Sequence, residues 1–355
     1  MTETLKANRV APETVDFTDR EPLDAWANYR DSGLSRMITS MHLCMALQAV
    51  HETGLLNRLR DGIDVTDRRS LERMHAPMVR ELLQYLAVHG VVAEAGGRYT
   101  LTPLGRRFAD DVALAQLGFY VEAYGPVLHR LPQLLSGEAR YGQDLLRDGE
   151  ALGRHCSVLG RVFFAAMIKD SLRRHRSRRV LDLGCGSGGL LLDLCREHPD
   201  TCGVGIDLSG AAVEYARRMA AVTDAGGRLQ FHVRDAFRPD TWPDAAREPD
   251  AITAIGILHE LFRDGDDAMV ELLNAFAARL RPRQGVLVLL EPEIRYETQE
   301  NDSDFFLIHL ATEQGMPRRR EGWLELFERT DFRCERVLSR PGAGPRCAVF
   351  ELVPA

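Results

Sequence analysis

One glycine-rich segment carries residue types that suit binding of a small charged ligand. Residues 180–189 read VLDLGCGSGG, and Gly184, Gly186 and Gly188 allow the backbone to turn tightly and to approach a ligand closely. Asp182 precedes these glycines, and its carboxylate would repel a pyrophosphate but suits an ammonium or sulfonium group. No lysine follows at the spacing of a phosphate-binding Walker loop, so the sequence excludes that class of site.

Two further acids end the next two apolar runs of the chain. Asp207 ends the run 203–207, and Asp235 ends the run 229–235. In a Rossmann-type unit, an acid at the end of the second strand accepts hydrogen bonds from ribose hydroxyls. An acid at the end of the third strand can accept a hydrogen bond from an adenine amino group, with Phe237 beside the ring. The spacing therefore predicts a site for a ligand that contains a nucleoside.

A sheet has to hold these residues at one edge. Six short apolar runs alternate with helical stretches in the second half of the chain, and they span residues 178–183, 203–207, 229–235, 251–256, 285–291 and 346–353. This alternation implies βαβ units and a parallel, doubly wound sheet. The carboxyl ends of such strands meet at the same edge, where ligands bind in open α/β sheets.

The N-terminal half has the element order of a winged helix. Apolar residues recur at helical spacing over 37–60 and 71–89, and residues 90–101 read as strand, Gly-Gly turn and strand. Residues 102–105 then open another helix. No basic recognition helix is visible, which favours a packing module over a DNA reader. Residues 111–176 are mostly helical, and some of their aromatic side chains could line a pocket.

These patterns divide the chain into four predicted parts. They are an N-terminal arm (1–20), a winged-helix-like domain (21–110), a helical linker region that contributes to a substrate pocket (111–177) and a Rossmann-like domain (178–355). The predicted fold class is α/β, with a doubly wound core preceded by a mostly helical winged-helix domain.

Composition narrows the classes of function. The 355 residues are 45% apolar and 27% charged with a net charge of −7, which argues against general nucleic-acid binding. The seven cysteines form no C-x-x-C pair, so we expect neither a disulfide framework nor a cysteine zinc site. The N-terminus lacks the apolar stretch of a signal peptide, and the longest apolar run, 286–290, is far short of a membrane span. We therefore predict a cytoplasmic protein without membrane partners.

The glycine loop and the two acids after it resemble the class I S-adenosylmethionine-dependent methyltransferases in order and spacing, over about 178–355. The resemblance implies S-adenosylmethionine as cofactor. The residues it implies for cofactor binding are Asp182, Gly184, Cys185, Gly186, Gly188, Asp207, Leu208, Asp235, Ala236 and Phe237. The N-terminal half is similar to the dimerisation domain of small-molecule O-methyltransferases. This implies a homodimer in which interlocked N-terminal domains help to close the substrate pocket.

His259 lies just after the fourth predicted strand of the core, in the segment ILHEL. In the O-methyltransferases that the chain resembles, a histidine at this point is the general base that deprotonates a phenol. An imidazole with a pKa near 6.5 suits such proton transfer. The resemblance therefore implies His259 as a catalytic residue, and Glu260 follows where relatives often carry an acid that faces the substrate.

His309 departs from the O-methyltransferase pattern, in which an apolar residue is usual. It lies in the segment DFFLIHLATEQG, 50 positions after His259. The two positions match the metal-binding histidines of the related 2-oxo acid C-methyltransferases, which implies a divalent or trivalent ion, iron or zinc, held by His259 and His309. A metal that chelates the substrate's carboxylate and 2-oxo oxygen would stabilise the enolate, whose C3 attacks the sulfonium methyl. The alternative is a hydrogen-bonded core histidine.

Other polar residues are further candidates for the same site. Glu313 follows His309 by four residues and could be a carboxylate ligand, and Glu291 ends the fifth predicted core strand. Arg140 and Tyr141, which precede the core, could contact a substrate carboxylate. Each of these could equally be a solvated or structurally hydrogen-bonded side chain.

We therefore predict a homodimeric methyltransferase that methylates C3 of a 2-oxo acid with an apolar side chain, for a specialised metabolite. The first alternative is metal-free O-methylation of a phenol or hydroxyl, with His259 as base. The second is a winged-helix regulator that binds S-adenosylmethionine without catalysis. An inactive homologue would be expected to lose His259, and this chain keeps it.

Overall fold

The computed structural model describes residues 13–224, 226–299 and 301–355. Residues 1–12 of the predicted arm lie outside the described residues, and residues 13–19 are exposed and have no regular structure. The helices before the core are α1 (Arg20–Asp31), α2 (Leu34–Glu52), α3 (Leu55–Asp61), α4 (Ala76–Val88), α5 (Pro103–Phe108), α6 (Asp111–Gly118), α7 (Gly125–Leu128), α8 (Leu131–Ser136), α9 (Gly149–Phe163) and α10 (Ala165–Arg174). A π-helical turn, Phe119–Ala123, follows α6, and a 3-10 turn spans Arg68–Leu71.

A small three-stranded sheet belongs to this first half. Its strands are β1 (Ile63–Asp64), β2 (Val92–Ala95) and β3 (Arg98–Leu101), in the order β1-β3-β2. The β2–β3 hairpin is the predicted wing, and its two turn residues Gly96 and Gly97 have φ of 58° and 86°, as a tight hairpin turn requires. The predicted helix over 37–60 is instead two helices, because Gly54 breaks it at φ 71°.

The second half forms the α/β core. Its elements are β4 (Arg179–Leu183), α11 (Gly189–Glu197), β5 (Cys202–Asp207), α12 (Gly210–Ala221), β6 (Leu229–Val233), β7 (Ala251–Ile255), α13 (Asp266–Leu280), β8 (Val286–Pro292), α14 (Asn301–Ala311), α15 (Arg320–Phe327), β9 (Phe332–Leu338) and β10 (Cys347–Pro354). Shorter 3-10 segments span Gly226–Arg228, Pro239–Thr241, Asp244–Ala246, Leu258–Asp264 and Arg281–Arg283.

Seven strands pair in the order β6-β5-β4-β7-β8-β10-β9. The first five are parallel, as predicted, but β10 runs antiparallel to both β8 and β9. The sequence analysis did not predict β9, whose residues are only partly buried and therefore lack a continuous apolar run. The α/β fold class with a preceding helical half is confirmed.

Helices cover both faces of this sheet. Phe276, Trp323 and Phe350 are fully buried on one face, and Ile168 and Leu191 pack in the cluster on the other. Burial on both faces explains why the central strands are continuously apolar, since neither side of a strand meets water. All seven residues of β8 are buried, and one of them is the charged residue Glu291.

None of the helices in the described ranges is by itself long and apolar enough to cross a membrane. The helices α9 and α10 satisfy that test only when they are taken together, and a 67° bend separates them.

Candidate functional site

The glycine loop connects β4 to α11 at the carboxyl edge of the parallel strands. Gly184 has φ 65°, and a Cβ there would lie 2.6 Å from the Ile257 side chain. Gly188 has φ 74°, and its Cβ would lie 2.7 Å from the ring of Phe231. Both positions therefore combine a left-handed backbone with a close approach that only glycine permits.

Asp207 fixes this loop from the neighbouring strand. One carboxylate oxygen accepts a hydrogen bond from the Gly186 amide at 2.9 Å, and the other accepts one from the Ser209 amide at 2.8 Å. The adjacent Leu208 side chain is 68% exposed, which leaves an apolar surface at the sheet edge uncovered. At the end of β6, the Asp235 carboxylate accepts from the Phe237 amide at 2.8 Å. The structure thus brings the predicted cofactor residues to one edge.

Asp182 is the predicted cofactor residue that lies deepest. Its side chain is buried and accepts a hydrogen bond from the Thr253 hydroxyl at 2.6 Å. Burial raises the pKa of Asp182 to about 7, with a smaller contribution from the charge of Asp207, while the Thr253 hydrogen bond opposes the shift. Asp182 therefore sits below the loop and is tied to β7.

The two predicted histidines meet although 50 residues separate them. His259 lies in the 3-10 segment after β7, His309 lies near the end of α14, and their Nε2 atoms are 2.9 Å apart. The side chains of both are almost completely buried. Burial, with the charges of His259 and Arg147 adding to it, lowers the pKa of His309 to about 3, so this imidazole is neutral at ordinary pH.

The other ring nitrogen of each histidine has a fixed partner. His259 Nδ1 is 2.5 Å from a carboxylate oxygen of Glu291, whose second oxygen accepts from the Leu258 amide at 2.8 Å. His309 Nδ1 donates to the carbonyl oxygen of Phe305 at 2.6 Å. Because carbonyl and carboxylate oxygens accept, both Nδ1 atoms carry a proton. The two Nε2 atoms, 2.9 Å apart, can either share a proton in an N–H···N hydrogen bond or present two lone pairs to one cation.

The donor chemistry fits a metal ion. Histidines that bind metals donate the other ring N–H to a carboxylate or a backbone carbonyl, and both histidines of this pair do so. The two Nε2 atoms lie 2.9 Å apart, so both could bind one ion. The pair can therefore supply two neighbouring ligands to iron or zinc.

Neither nearby acid adds a third ligand. Glu260 Oε1 already accepts from Arg147 Nη2 at 3.1 Å and from Gln314 Nε2 at 2.8 Å. Glu313 is exposed and lies beyond the end of α14 in a left-handed conformation, φ 49°, so it does not share the helix face of His309 as expected. In the described part of the chain, three metal-ligating side chains come together elsewhere, at His175, Glu335 and Glu351.

Arg147 is a site residue that the sequence analysis missed. Its guanidinium donates to the Tyr124 hydroxyl at 3.1 Å and to Glu260 at 3.1 Å. Burial raises the pKa of Tyr124 to about 12, against the lowering effect of Arg147, so the phenol stays protonated. The predicted Arg140 is instead exposed in the same loop, where its amide donates to Asp144. No local pattern distinguishes the two arginines, because the partners of Arg147 lie far away in sequence.

Aromatic rings flank the histidine pair. The ring of Phe305 lies 5.3 Å from that of His309 and stacks on Phe119 at 5.8 Å, with the planes 10° apart. Tyr120 and Tyr124 each lie 5.1 Å from Phe119. Phe119 and Tyr120 belong to the π-helical turn and Tyr124 directly follows it, and π-helical turns are frequent at functional sites. The surface beside the pair is therefore apolar and aromatic.

Comparisons with known proteins place this chain in a family. Residues 140–337, more than half of the chain, match the family described as "Methyltransferase domain". The 2-ketoarginine methyltransferase of Streptomyces arginensis is 25% identical over 86% of this chain and 88% of that protein. The indolepyruvate C-methyltransferase of Streptomyces griseus is 25% identical over 86% of this chain and 91% of that protein.

Other relatives transfer methyl groups to oxygen. The 3-hydroxy-5-methyl-1-naphthoate 3-O-methyltransferase of Streptomyces sahachiroi is 31% identical over 73% of this chain and 76% of that protein. The solved structure of mitomycin 7-O-methyltransferase covers 94% of this chain and 100% of that chain at 19% identity with a TM-score of 0.64, which shows the shared fold.

These relatives are enzymes, so the comparisons do not support the alternative of a regulator that binds S-adenosylmethionine without catalysis. The described edge of the sheet has the glycine loop and strand-end acids that the family resemblance requires. This chain belongs to the methyltransferase-domain family and is a class I S-adenosylmethionine-dependent methyltransferase.

Proposed function

We propose that the enzyme methylates C3 of a 2-oxo acid, with a metal ion held by His259 and His309. The observation that carries this proposal is the Nε2–Nε2 separation of 2.9 Å between two histidines whose Nδ1 atoms are both engaged. A metal-free O-methyltransferase needs one basic imidazole, and the second one has no role in its chemistry. Two of the relatives are named for 2-oxo acids, 2-ketoarginine and indolepyruvate.

The cofactor site follows from the glycine loop and the strand-end acids. We assign the ribose hydroxyls to Asp207, whose two oxygens keep free lone pairs beyond the amide contacts. The adenine lies against Leu208 and Phe237, with Asp235 and Ala236 near its amino edge. The glycines and Cys185 leave room for the methionine part, and Asp182 supports the loop from below.

Arg147 suits the carboxylate of a 2-oxo acid. The positive charge of Arg147 helps to lower the pKa of His309. Glu260 and Tyr124 orient its guanidinium. A planar guanidinium in a partly buried site is a strong partner for a carboxylate. The stacked rings of Phe119 and Phe305 would then contact the substrate's side chain, which favours an apolar one.

The reaction transfers one methyl group. C3 of the substrate loses a proton to solvent, the C3–CH₃ bond forms as the sulfonium S–CH₃ bond breaks, and S-adenosylhomocysteine leaves. A bound iron or zinc ion supplies Lewis-acid stabilisation of the negative charge on the 2-oxo oxygen. Glu291 holds the imidazole of His259 in one orientation, and Phe305 does so for His309. We expect the product to supply a specialised metabolite made in the cytoplasm.

One observation favours metal-free O-methylation as a second candidate. The Glu291–His259 contact of 2.5 Å resembles the carboxylate–imidazole pair that orients a general base. In that case His309 would be a pocket residue and His259 would take the proton from a phenol.

The two candidates differ in product and in metal requirement. Purified enzyme is given S-adenosylmethionine with a panel of aryl and aliphatic 2-oxo acids and, separately, phenols, and NMR locates the new methyl group. We expect methylation at C3, loss of activity after chelation, and metal-dependent exchange of C3 protons with deuterated water. O-methylation that continues after exhaustive chelation would contradict the proposal.

We also propose that two chains form a homodimer through residues 21–110. The α1 and α2 helices expose large apolar side chains, although such residues favour burial. These residues, 40–66% exposed, are Leu23, Trp26, Leu34, Met37, Met41 and Met45. The four on α2 recur at helical spacing and so form one stripe. Light scattering at micromolar concentration should give the mass of a dimer, and a monomer would contradict the assignment.

A further inference from the structure

The end of α14 is where the two histidine-bearing segments are joined. After His309, the Gln314 amide donates back to the His309 carbonyl oxygen at 3.2 Å. The Gln314 side chain donates through Nε2 to Glu260 Oε1 at 2.8 Å, and the Gly315 amide donates to the Glu260 carbonyl oxygen at 3.3 Å. Gln314 and Gly315, here called the α14 clamp, thus connect the helix of His309 to the residue that follows His259.

Gly315 makes the closest of these approaches. A Cβ at this position would lie 2.2 Å from the His259 carbonyl oxygen and 2.8 Å from the amide nitrogens of Phe262 and Arg263. All three atoms belong to the backbone of one 3-10 segment, so no flexible side chain can move aside. The φ of Gly315 is outside the left-handed region, and the requirement for glycine here is therefore one of space.

The chain reaches this position through a strained turn. Glu313 adopts φ 49°, a left-handed conformation that residues other than glycine rarely hold. This turn ends α14 and directs Gln314 and Gly315 into the interior, where both are buried. The strain is retained although Glu313 itself is exposed, which indicates that the inward contacts after it hold the turn.

We propose that Gln314 and Gly315 are positioning residues that set the distance between His259 Nε2 and His309 Nε2. The consequence for metal binding rests on the proposed function of the pair. To admit a Cβ at Gly315, the two segments must separate by about 1 Å, given ordinary contact distances of about 3.5 Å. Functional geometry has to hold within about 0.5 Å, so a shift of that size would open the pair.

Cobalt(II) titration, followed by visible absorption, measures the affinity of the pair. We expect Gly315→Ala to weaken Co²⁺ binding about 10–100-fold, the range seen when support of metal ligands is removed. Gln314→Met, which loses the donor to Glu260 and keeps the backbone, should weaken it less, by about tenfold. The matched control is Gly322→Ala on α15, where a Cβ meets only the Arg318 side chain at 3.5 Å, and its affinity should not change.

Calorimetry of S-adenosylmethionine binding shows whether each variant is folded, because the cofactor loop is separate from the clamp. If Gly315→Ala fails to fold, the Co²⁺ affinity of Gln314→Met tests the proposal instead. Co²⁺ affinity equal to that of the unaltered protein in the folded variants would overturn the proposal.

A crystal structure of metal-free Gly315→Ala, or of Gln314→Met if that variant decides, tests the clamp without reference to metal. An Nε2–Nε2 distance clearly longer than in a crystal structure of the metal-free unaltered protein would support the proposal, and an equal distance would overturn it. If the unaltered protein binds no Co²⁺, the metal part of the proposed function fails. The Nε2–Nε2 distance in the crystal structure still tests the α14 clamp in that case. Failure of the clamp can therefore be distinguished from failure of the proposed metal site.

Discussion

The cofactor loop and the histidine pair lie at the same edge of the sheet but are held in different ways. The loop is fixed by backbone amides and by Asp207, which lies 21 residues from its partner Gly186. The pair depends on side chains, and contacts across 50 and 113 residues position His309 and Arg147. The proposed cofactor site therefore depends on a local motif, whereas the proposed metal site depends on tertiary contacts.

The largest effect should come from Glu291, which fixes His259 within the pair. Glu291→Ala leaves the buried Leu258 amide and His259 Nδ1 without their acceptor, at about 1–3 kcal/mol each. We expect a loss of about 2–6 kcal/mol in the free energy of unfolding, measured with urea. The exposed Glu297→Ala on the following loop is the control and should change stability by less than about 0.5 kcal/mol. Equal stability of the two variants would show that Glu291 does not hold the pair.

Asp207 should affect the cofactor loop alone. Asp207→Ala removes charge-assisted hydrogen bonds from the Gly186 and Ser209 amides as well as the proposed ribose contact. S-adenosylmethionine binding should weaken by about 1–3 kcal/mol in calorimetry. Metal content should stay as in the unaltered protein. A change in metal content with unchanged cofactor affinity would reverse the assignment of the two regions.

Asp182 should make stability depend on pH. Its pKa is about 7 in the folded protein, against about 3.9 in an unfolded chain. The neutral carboxyl therefore favours the folded state below about pH 4, and this contribution is lost as the pH rises through about 7. Relative to Asp182→Asn, the unaltered protein should lose up to about 1.4 kcal/mol per pH unit between these values. Parallel unfolding curves against pH for the two proteins would contradict this.

The smallest expected effect concerns Tyr124, which orients Arg147. Tyr124→Phe removes the hydroxyl that accepts from Arg147 Nη1. The KM for the 2-oxo acid should rise about 2–10-fold, because losing one hydrogen bond weakens binding by about that factor. The kcat and the affinity for the cofactor should not change. A fall in kcat at constant KM would instead place Tyr124 at the reacting atoms.

The sequence predicted the parts of the molecule that depend on local spacing. The strands β4 to β8 follow from buried apolar runs, and the glycine loop follows from the spacing of Gly184, Gly186 and Gly188. The direction of β10 was not predictable, because an apolar run is the same for parallel and antiparallel pairing. The strand β9 was not predicted because its residues are only partly buried and form no continuous apolar run. The apolar residues of α1 are exposed, so packing in the core does not account for them.

The site residues divide in the same way. His259 and His309 were found because a family pattern places them, and the structure brings them together. The sequence analysis missed Arg147, Gln314 and Gly315. Each of them contacts the segment 258–263, which is distant in sequence and comes near only in the folded chain. An arginine in a loop or a glycine after a helix has no distinguishing local signal.

Metal analysis of the purified protein tests the central claim most directly. The protein is made without a histidine tag, dialysed against iron or zinc and then against buffer, and compared with His309→Gln and with a control at an exposed histidine, His129→Gln. We predict about one ion per chain in the unaltered protein and in the control, and none in His309→Gln, with activity toward 2-oxo acids following the metal. An unaltered protein that retains no ion, or a His309→Gln enzyme that keeps both ion and activity, would contradict the account.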